Sequence, residues 1–264
     1  MTVNHQNNRY AELASSLANH LKGCLTKDGT KSVSSIALAR AEYYSVYTVP
    51  WRTETVLDIL CSYGLQDRLK DLTVLDTGCG FGGMALYLGL ETSASKVIAL
   101  DVKERRLRVL EGIIHEFELH HISVLQADMH AIPIESKSVD LVIAYETMGY
   151  TSPPRDAIFR ELYRVLSPDG FIILKEENLL FPLFALSRLP RLSSVFRGAA
   201  TGVLGKESFA AQGWGKLNLI SSFGSKVLLK DAGFKDVQLY STTTREAKGL
   251  LRFLLPSFFV LGRK

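Results

Sequence analysis

An acid followed by closely spaced glycines gives the clearest chemical signal in this sequence. Residues 72–83 read Leu-Thr-Val-Leu-Asp-Thr-Gly-Cys-Gly-Phe-Gly-Gly. An apolar run ends at Asp76, a helical pattern begins at Met84, and between them stand Gly78, Gly80, Gly82 and Gly83. Glycine tolerates positive φ and lets the backbone approach a bound molecule closely. The order of strand, glycine turn and helix therefore predicts a ligand site at the end of the strand.

Asp76 favours one class of ligand over another. The stretch Gly78–Gly83 also fits the G-x-G-x-x-G pattern of dinucleotide sites. A carboxylate two residues before the turn would repel a pyrophosphate, but it can balance a cationic ligand that carries an amine. S-Adenosylmethionine (SAM) has an amino group and a sulfonium. The motif thus favours SAM over NAD(P), and a purely structural glycine turn is the third alternative.

Composition excludes several classes of protein. The 264 residues suit one large α/β domain, and 47% hydrophobic with 22% charged residues argues against extensive disorder. The net charge of +4 is too small to predict a nucleic-acid partner. Three widely spaced cysteines, Cys24, Cys61 and Cys79, favour a reducing compartment. The polar start of the chain and the lack of a membrane-length apolar run predict a cytoplasmic protein.

Strand and helix patterns alternate from Leu72 onward. Short apolar runs over 72–76, 96–100, 122–126, 140–145 and 171–175 are separated by helical patterns or turns, and two further strands are expected over 234–242 and 257–261. The helical patterns lie over 83–90, 103–117, 154–166, 217–232 and 245–254, with a turn at Ser167 to Gly170 and a C-cap glycine at Gly233. Repeated units of this length predict an α/β fold, a parallel sheet with helices on both faces. Ligands in such sheets bind at the carboxyl ends of the strands. The residues to inspect at that edge are Asp76 to Gly82, Asp101, Asp128, Tyr145 to Tyr150 and Glu176 to Asn178.

Two segments interrupt this alternation. Residues 1–50 read as an N-terminal helical prelude, and residues 51–264 read as the main domain with an insert at about 178–216. We expect prelude and insert to form a lid over an acceptor pocket. The stretch 179–206 contains Arg188, Arg191, Arg197 and Lys206 but no acid. It predicts either a soluble lid or weak peripheral contact with an anionic membrane.

Taken in order, the motifs of the chain resemble those of class I SAM-dependent methyltransferases. The resemblance covers about residues 45–264 and is greatest to the small-molecule branch, which includes the quinone, tocopherol and sterol (methyltransferase type 11-like) enzymes. Its markers are Val74 to Gly82, Ala99 to Asp101, Gln126 to Met129, Ser138 to Val142, Phe159 to Phe171, Leu229 to Phe234 and Phe259 to Lys264. The resemblance implies a Rossmann-like, seven-stranded, mostly parallel sheet whose last strand is antiparallel. It also implies methyl transfer from SAM to a small, apolar or aromatic acceptor.

The resemblance implies a role for each residue at the ligand edge. The glycine turn would lie against the methionine moiety, and Asp101 would accept hydrogen bonds from the ribose, with a helix N-cap as its structural alternative. Asp128 would accept the adenine amine and Met129 would lie on the ring, unless Asp128 is a turn residue. The predicted cofactor-binding set is Asp76, Gly78, Cys79, Gly80, Gly82, Asp101, Val102, Asp128, Met129 and Tyr145.

Three residues are candidates for acid–base catalysis. Glu146 and Tyr150 lie in the loop after the fourth strand, and His130 follows Asp128 by two residues. Related enzymes often carry Glu at the position of Glu146 and His just beyond, where this chain has Gly149 and Tyr150. A base is needed only when the acceptor must lose a proton. No histidine has the spacing of a metal site, so no metal is predicted.

Two other functional classes remain open. An NAD(P)-dependent oxidoreductase would fit the glycine pattern, although Asp76 and the absence of a well-placed Tyr-x-x-x-Lys pair oppose it. A non-catalytic SAM-fold binding protein would fit the fold, although it would not need the full set of ligand-facing acids. The sequence identifies neither the acceptor, nor whether O, N or C is methylated, nor the oligomeric state.

Overall fold

The computed structural model describes residues 49–91, 94–178, 220–241 and 257–264, together with the helical positions Glu12, Ser15 and Asn19. Nearly all of the prelude and the insert, and the helix expected over 245–254, lie outside the described residues. The expectations about a lid and a membrane-contacting segment therefore stay predictions. Within the described part of the chain, no helix is both long and apolar enough to cross a bilayer.

Seven strands and five α-helices make up the described fold, numbered here in chain order. The helices are α1 (Val49–Ser62), α2 (Gly83–Glu91), α3 (Glu104–Glu116), α4 (Arg155–Val165) and α5 (Ser222–Asp231), with 3-10 turns at Gln66–Asp71 and Met148–Tyr150. The strands are β1 (Thr73–Thr77), β2 (Lys96–Asp101), β3 (Ile122–Gln126), β4 (Val139–Tyr145), β5 (Leu166–Glu177), β6 (Lys235–Ser241) and β7 (Ser257–Arg263). Most predicted elements are found within two residues of their expected ends.

The strands form one sheet in the order β3-β2-β1-β4-β5-β7-β6. Strands β1, β2 and β3 pair in parallel, and β7 pairs antiparallel with both β5 and β6. This confirms the predicted Rossmann-like sheet with an antiparallel last strand. The turn expected at Ser167 to Gly170 lies within the longer β5. Asp169 there has φ +62°, and pairing with β7 begins only at Phe171.

The chain divides into two compact units. The first extends to Ile143 and includes Val165–Pro168, and the second contains Ala144–Arg164 and Asp169–Lys264. In the first unit, residues Val97 to Asp101 of β2 are all buried, as expected for a parallel strand covered on both faces. Helix α3 is amphipathic and buries Leu107, Val109, Leu110 and Ile113.

Asp140 has a structural role in the first unit. One of its carboxylate oxygens accepts the Thr73 backbone N–H at 2.9 Å, and the other accepts the Ser167 hydroxyl at 2.8 Å. Asp140 thus connects the starts of β1 and β4 with the start of β5. Asp140 belongs to the family marker Ser138 to Val142, and it lies at the start of β4, at the end of the strand opposite to the ligand edge.

The second unit has an aromatic core of its own. Phe258 and Phe259 of β7 are fully buried, and the Tyr163 and Phe234 rings meet edge to face with centroids 5.1 Å apart. Helix α5 ends at the predicted glycine, since Gly233 has φ +107° just after the C-cap Ala232.

Candidate functional site

Asp76, at the end of β1, is a buried acid with one oxygen that no described residue hydrogen-bonds. Only 2% of its surface is exposed. The backbone N–H of Ala85, in the first turn of α2, donates to the carboxylate, and among the described residues Oδ2 has no hydrogen-bond partner. Burial raises the pKa of Asp76 to about 7, with a small further rise from the nearby charge of Asp101. A cation that approached Oδ2 would satisfy this oxygen and favour its ionised form.

The glycine turn after Asp76 follows a left-handed backbone path. Gly78, Gly80 and Gly82 have φ values of +66°, +60° and +81°. A Cβ on Gly80 would meet no atom of the described residues within 4 Å, whereas a Cβ on Gly82 would collide with the buried side chain of Leu110. Gly82 is therefore required by packing, and Gly80 faces open space that a ligand can fill. Sequence reasoning grouped these two glycines, but the structure gives them different roles.

Asp101, at the end of β2, holds the glycine turn in place. Its Oδ2 accepts the Gly80 backbone N–H at 3.0 Å and the Arg106 guanidinium at 3.4 Å, and Oδ1 accepts the Lys103 N–H at 2.7 Å. Lys103, and not Asp101, occupies the N-cap position of α3. A carboxylate offers about four acceptor positions, so Oδ1 keeps capacity for a hydroxyl group. The contact with Gly80 was not predicted.

The first unit fits SAM in three respects. Asp76 offers a buried oxygen that has no hydrogen-bond partner in the described part of the chain and that a cationic group would satisfy. Gly80 leaves open space beside the backbone, as a closely held ligand requires. Asp101 retains an acceptor position suited to a ribose hydroxyl. The buried thiol of Cys79 lies in the same turn, and burial raises its pKa well above the usual value, so it packs as a neutral side chain.

Asp128 and His130 form a pair after β3. Asp128 Oδ1 accepts the backbone N–H of His130 at 2.9 Å and contacts its ring Nδ1 at 2.6 Å, and these bonds lower the pKa of the carboxyl. Asp128 is 63% exposed. The geometry is that of a turn residue, the structural alternative to the predicted adenine contact, and it leaves an exposed carboxylate edge. Met129 is buried and Val102 is exposed.

In the second unit, Glu146 pairs with a lysine that sequence reasoning missed. Glu146 follows β4 in a left-handed conformation, with φ +53°. Its carboxylate contacts Nζ of Lys175 on β5, and its backbone N–H donates to the Lys175 carbonyl at 2.7 Å. The Lys175 ammonium also lies 5.2 Å from the centroid of the Tyr145 ring. The sequence signal that could have revealed this partner was a single lysine within the apolar run of a strand.

Glu176 anchors the loop that follows β4. Its Oε1 accepts the backbone N–H groups of Thr147 and Met148, each at 2.7 Å. The side chain is buried, and burial raises its pKa to about 7 against the opposing effect of these two bonds and of Lys175. Tyr150, at the end of the same loop, is 71% exposed. The described residues contain no cluster of three or more His, Cys, Asp or Glu side chains arranged to hold a metal ion.

Comparison with known proteins supports the assignment of the domain. Residues 74–170 match the family model described as a methyltransferase domain. The demethylmenaquinone methyltransferase of Lactococcus lactis is 30% identical over 161 residues, which is 55% of this chain and 58% of that protein. The malonyl-[acyl-carrier protein] O-methyltransferase of Enterobacter lignolyticus is 34% identical over 124 residues, covering 47% and 43% of the two chains. The matched region thus spans about half the length of these curated relatives.

A solved structure shares the fold at low sequence identity. The phosphoethanolamine N-methyltransferase 2 of Haemonchus contortus, in complex with phosphomonomethylethanolamine and S-adenosylhomocysteine, matches with a TM-score of 0.54 and 16% identity. The match covers 73% of this chain and 48% of that one. At this identity the likeness shows the fold alone. The family match, the strand order and the glycine turn therefore agree that residues 74–170 form a methyltransferase domain similar to those of the SAM-dependent class I enzymes.

Proposed function

We propose that this protein transfers the methyl group of SAM to a small, apolar or aromatic metabolite. Bound SAM supplies a methyl group on a positively charged sulfur. A nucleophile can attack this methyl carbon directly, with the sulfur as the leaving group. The observation that carries the proposal is the buried Oδ2 of Asp76, which no described residue hydrogen-bonds. It lies beside a glycine turn with open space at Gly80. Burying a carboxylate without a partner costs free energy, and a cationic ligand removes that cost.

Each residue of the first unit has a proposed task toward the cofactor. Asp76 faces the cationic methionine end, and the backbone at Gly78 and Gly80 lies against it. Asp101 accepts a ribose hydroxyl while it fixes the turn through the Gly80 N–H. The exposed edge of the Asp128 carboxylate accepts the adenine amine, and Val102 and Met129 flank the base.

The names of two relatives support the proposed class of acceptor. Two relatives are named for methylation of demethylmenaquinone and of a malonyl-[acyl-carrier protein]. The first name fits the aromatic acceptor that we propose. Glu146, Tyr150 and His130 stay proposed catalytic groups, and a lid formed by 1–50 and 178–216 stays part of the proposal. The free thiols of Cys61 and Cys79 fit the reducing cytoplasm that we propose as its location.

Calorimetry with SAM and S-adenosylhomocysteine tests the cofactor assignment. We expect micromolar dissociation constants, and roughly tenfold or more weaker binding for Asp101→Ala, since a hydrogen bond to a charged group contributes about 1.5–3 kcal/mol. Glu111→Ala, at an exposed position of α3, is the control and should bind like the wild type. Unchanged affinity in Asp101→Ala would remove Asp101 from the site. Screening metabolite extracts with labelled SAM, followed by mass spectrometry, then identifies the acceptor.

A further inference from the structure

The ion pair of Lys175 and Glu146 needs an explanation beyond the fold. Only 5% of the Lys175 side chain is exposed, whereas 27% of the Glu146 side chain is exposed. A buried ion pair adds little stability compared with apolar side chains of the same size. The chain nevertheless places a charged lysine in a strand whose preceding residues, Ile172 to Leu174, are buried and apolar.

The backbone around Glu146 is arranged to deliver its carboxylate to Lys175. A positive φ is unusual for Glu, and residues in this region cluster at active sites and ligand clamps. The Glu146 N–H donates to the Lys175 carbonyl, and the next two N–H groups donate to Glu176. Main-chain and side-chain contacts together therefore fix the partly exposed carboxylate of Glu146 on a buried cation.

We propose that Lys175 is a positioning residue that holds Glu146 as the base for an acceptor with an ionisable hydroxyl group, such as a phenol, an enol or a hydroquinone. This inference rests on the proposed function and specifies its substrate class. Glu146 is the member of the pair that a ligand can reach, and Lys175 supplies the compensating charge behind it.

The proposed methyl transfer begins with the loss of the hydroxyl proton of the acceptor. The Glu146 carboxylate takes the hydroxyl proton, and the O–H electron pair stays with the acceptor. The acceptor, now anionic, supplies the electron pair that forms the new bond to the methyl group, and the methyl–sulfur bonding pair leaves with the sulfur. The proton on Glu146 then passes to water. Lys175 keeps its own proton and stabilises the negative charge that develops on the acceptor.

The same pair disfavours an amine acceptor. A protonated amine would bring a second positive charge toward the Lys175 ammonium, whereas a neutral hydroxyl donates to Glu146 and becomes negative beside a cation. Among the described residues, Glu176 on β5 and Tyr145 on β4 are titratable groups that lie next to the pair. Neither of these two groups carries a positive charge, whereas the positively charged ammonium of Lys175 contacts the Glu146 carboxylate directly.

The test uses the full-length chain, with carboxyl-¹³C glutamate to follow the titration of Glu146 by NMR. Glu146→Gln assigns the signal. In Lys175→Met we expect the Glu146 midpoint to rise by one to three pH units, because an opposite charge at this distance favours the carboxylate. Lys175→Arg should restore a midpoint near that of the wild type. A midpoint that is the same in Lys175→Met and the wild type would overturn the positioning role.

The substrate class is tested with 2-naphthol and its methyl ether, 2-methoxynaphthalene, as paired probes. We expect 2-naphthol to shift the Glu146 signal and to bind at least tenfold more tightly than the ether. This preference should vanish in Glu146→Gln and in the folding control Lys175→Met/Glu146→Gln, which carries no unpaired charge. Equal binding of both probes, or no binding of 2-naphthol, would overturn the hydroxyl class. Failure of SAM to bind in calorimetry would instead overturn the proposed function and leave these two results standing.

Discussion

At the scale of single residues, Asp76 connects proton binding with cofactor binding. Its pKa is raised to about 7 by burial, so near neutral pH much of the free protein carries a neutral Asp76. A cationic cofactor favours the ionised carboxylate. Below pH 7, binding must therefore release a proton, and the affinity should fall as the pH falls.

We expect the dissociation constant of SAM to increase by about tenfold between pH 7.5 and pH 6, from the linkage to a group with a pKa near 7. The measurement is calorimetry in two buffers with different ionisation enthalpies, which also counts the released proton. Asp76→Asn keeps an acceptor for the Ala85 N–H but cannot ionise. Its affinity should be weaker and nearly independent of pH. The same pH dependence in Asp76→Asn as in the wild type would exclude Asp76 as the linked group.

At the scale of elements, two glycines of the same turn should have separate effects, Gly82 on folding and Gly80 on cofactor binding. We expect Gly82→Ala to lower the melting temperature strongly, because its Cβ would collide with Leu110. Gly80→Ala should keep the fold and lose most SAM affinity, because its methyl group enters the space left for the ligand. Gly64 is the matched control, since it has φ +65° and an added Cβ would lie more than 4 Å from every atom that the structure describes around it. Gly64→Ala therefore measures the cost of the positive φ alone, typically about 1 kcal/mol.

An unchanged SAM affinity in Gly80→Ala would show that the open space at this turn is not where the cofactor lies. A melting temperature of Gly82→Ala equal to that of Gly64→Ala would show that Leu110 moves aside without cost. Melting curves and calorimetry on all three variants distinguish these outcomes.

The loop after β4 depends on Glu176. We expect Glu176→Ala to increase amide hydrogen exchange at Thr147 and Met148 by about 10- to 100-fold, because two hydrogen bonds of about 0.5–1.5 kcal/mol each are lost. Glu176→Gln keeps an acceptor oxygen and should stay within a few-fold of the wild type. Equal exchange rates in Glu176→Ala and the wild type would show that another group holds the loop.

Most elements were predictable from the sequence, whereas the pairs at the loop after β4 were not. Periodicity and turn residues depend on neighbours in the chain, so helices such as α3 are found close to their predicted ends. The contact of Glu146 with Lys175 joins residues 29 positions apart. It depends on the positive φ at Glu146 and on which residue of β5 lies beside the loop. Neither has a local signature, because Glu rarely adopts positive φ.

At the scale of the whole molecule, two buried acids oppose folding as the pH rises. Asp76 and Glu176 both have folded pKa values of about 7, above their ordinary values of 3.8 and 4.5. The folded state therefore favours their protonated forms. Below about pH 4 both acids are protonated in the folded and the unfolded chain, so they cost no stability. As the pH rises from about 4 to about 7, the folded state loses stability progressively, because the unfolded chain ionises them more easily.

We expect the double variant Asp76→Asn/Glu176→Gln to melt several degrees higher than the wild type at pH 8, and the difference to shrink by pH 5. Thermal unfolding followed by circular dichroism between pH 5 and pH 8 measures it. This range avoids Asp128, whose lowered pKa removes stability only at more acidic pH. A constant difference across this range would show that neither acid titrates in the folded chain near pH 7.

The position of β7 in the sheet has a consequence for the order of assembly. Strand β7 pairs with both β5 and β6, and among the described elements it is the last in sequence. During synthesis, β6 emerges before its pairing partner β7. It therefore stays unpaired until Ser257–Arg263 has been made. Such non-local pairing is slow and exposes strand edges to aggregation. In pulse-labelled refolding, amides of β6 should gain protection together with those of β7 and later than those of β1 and β2.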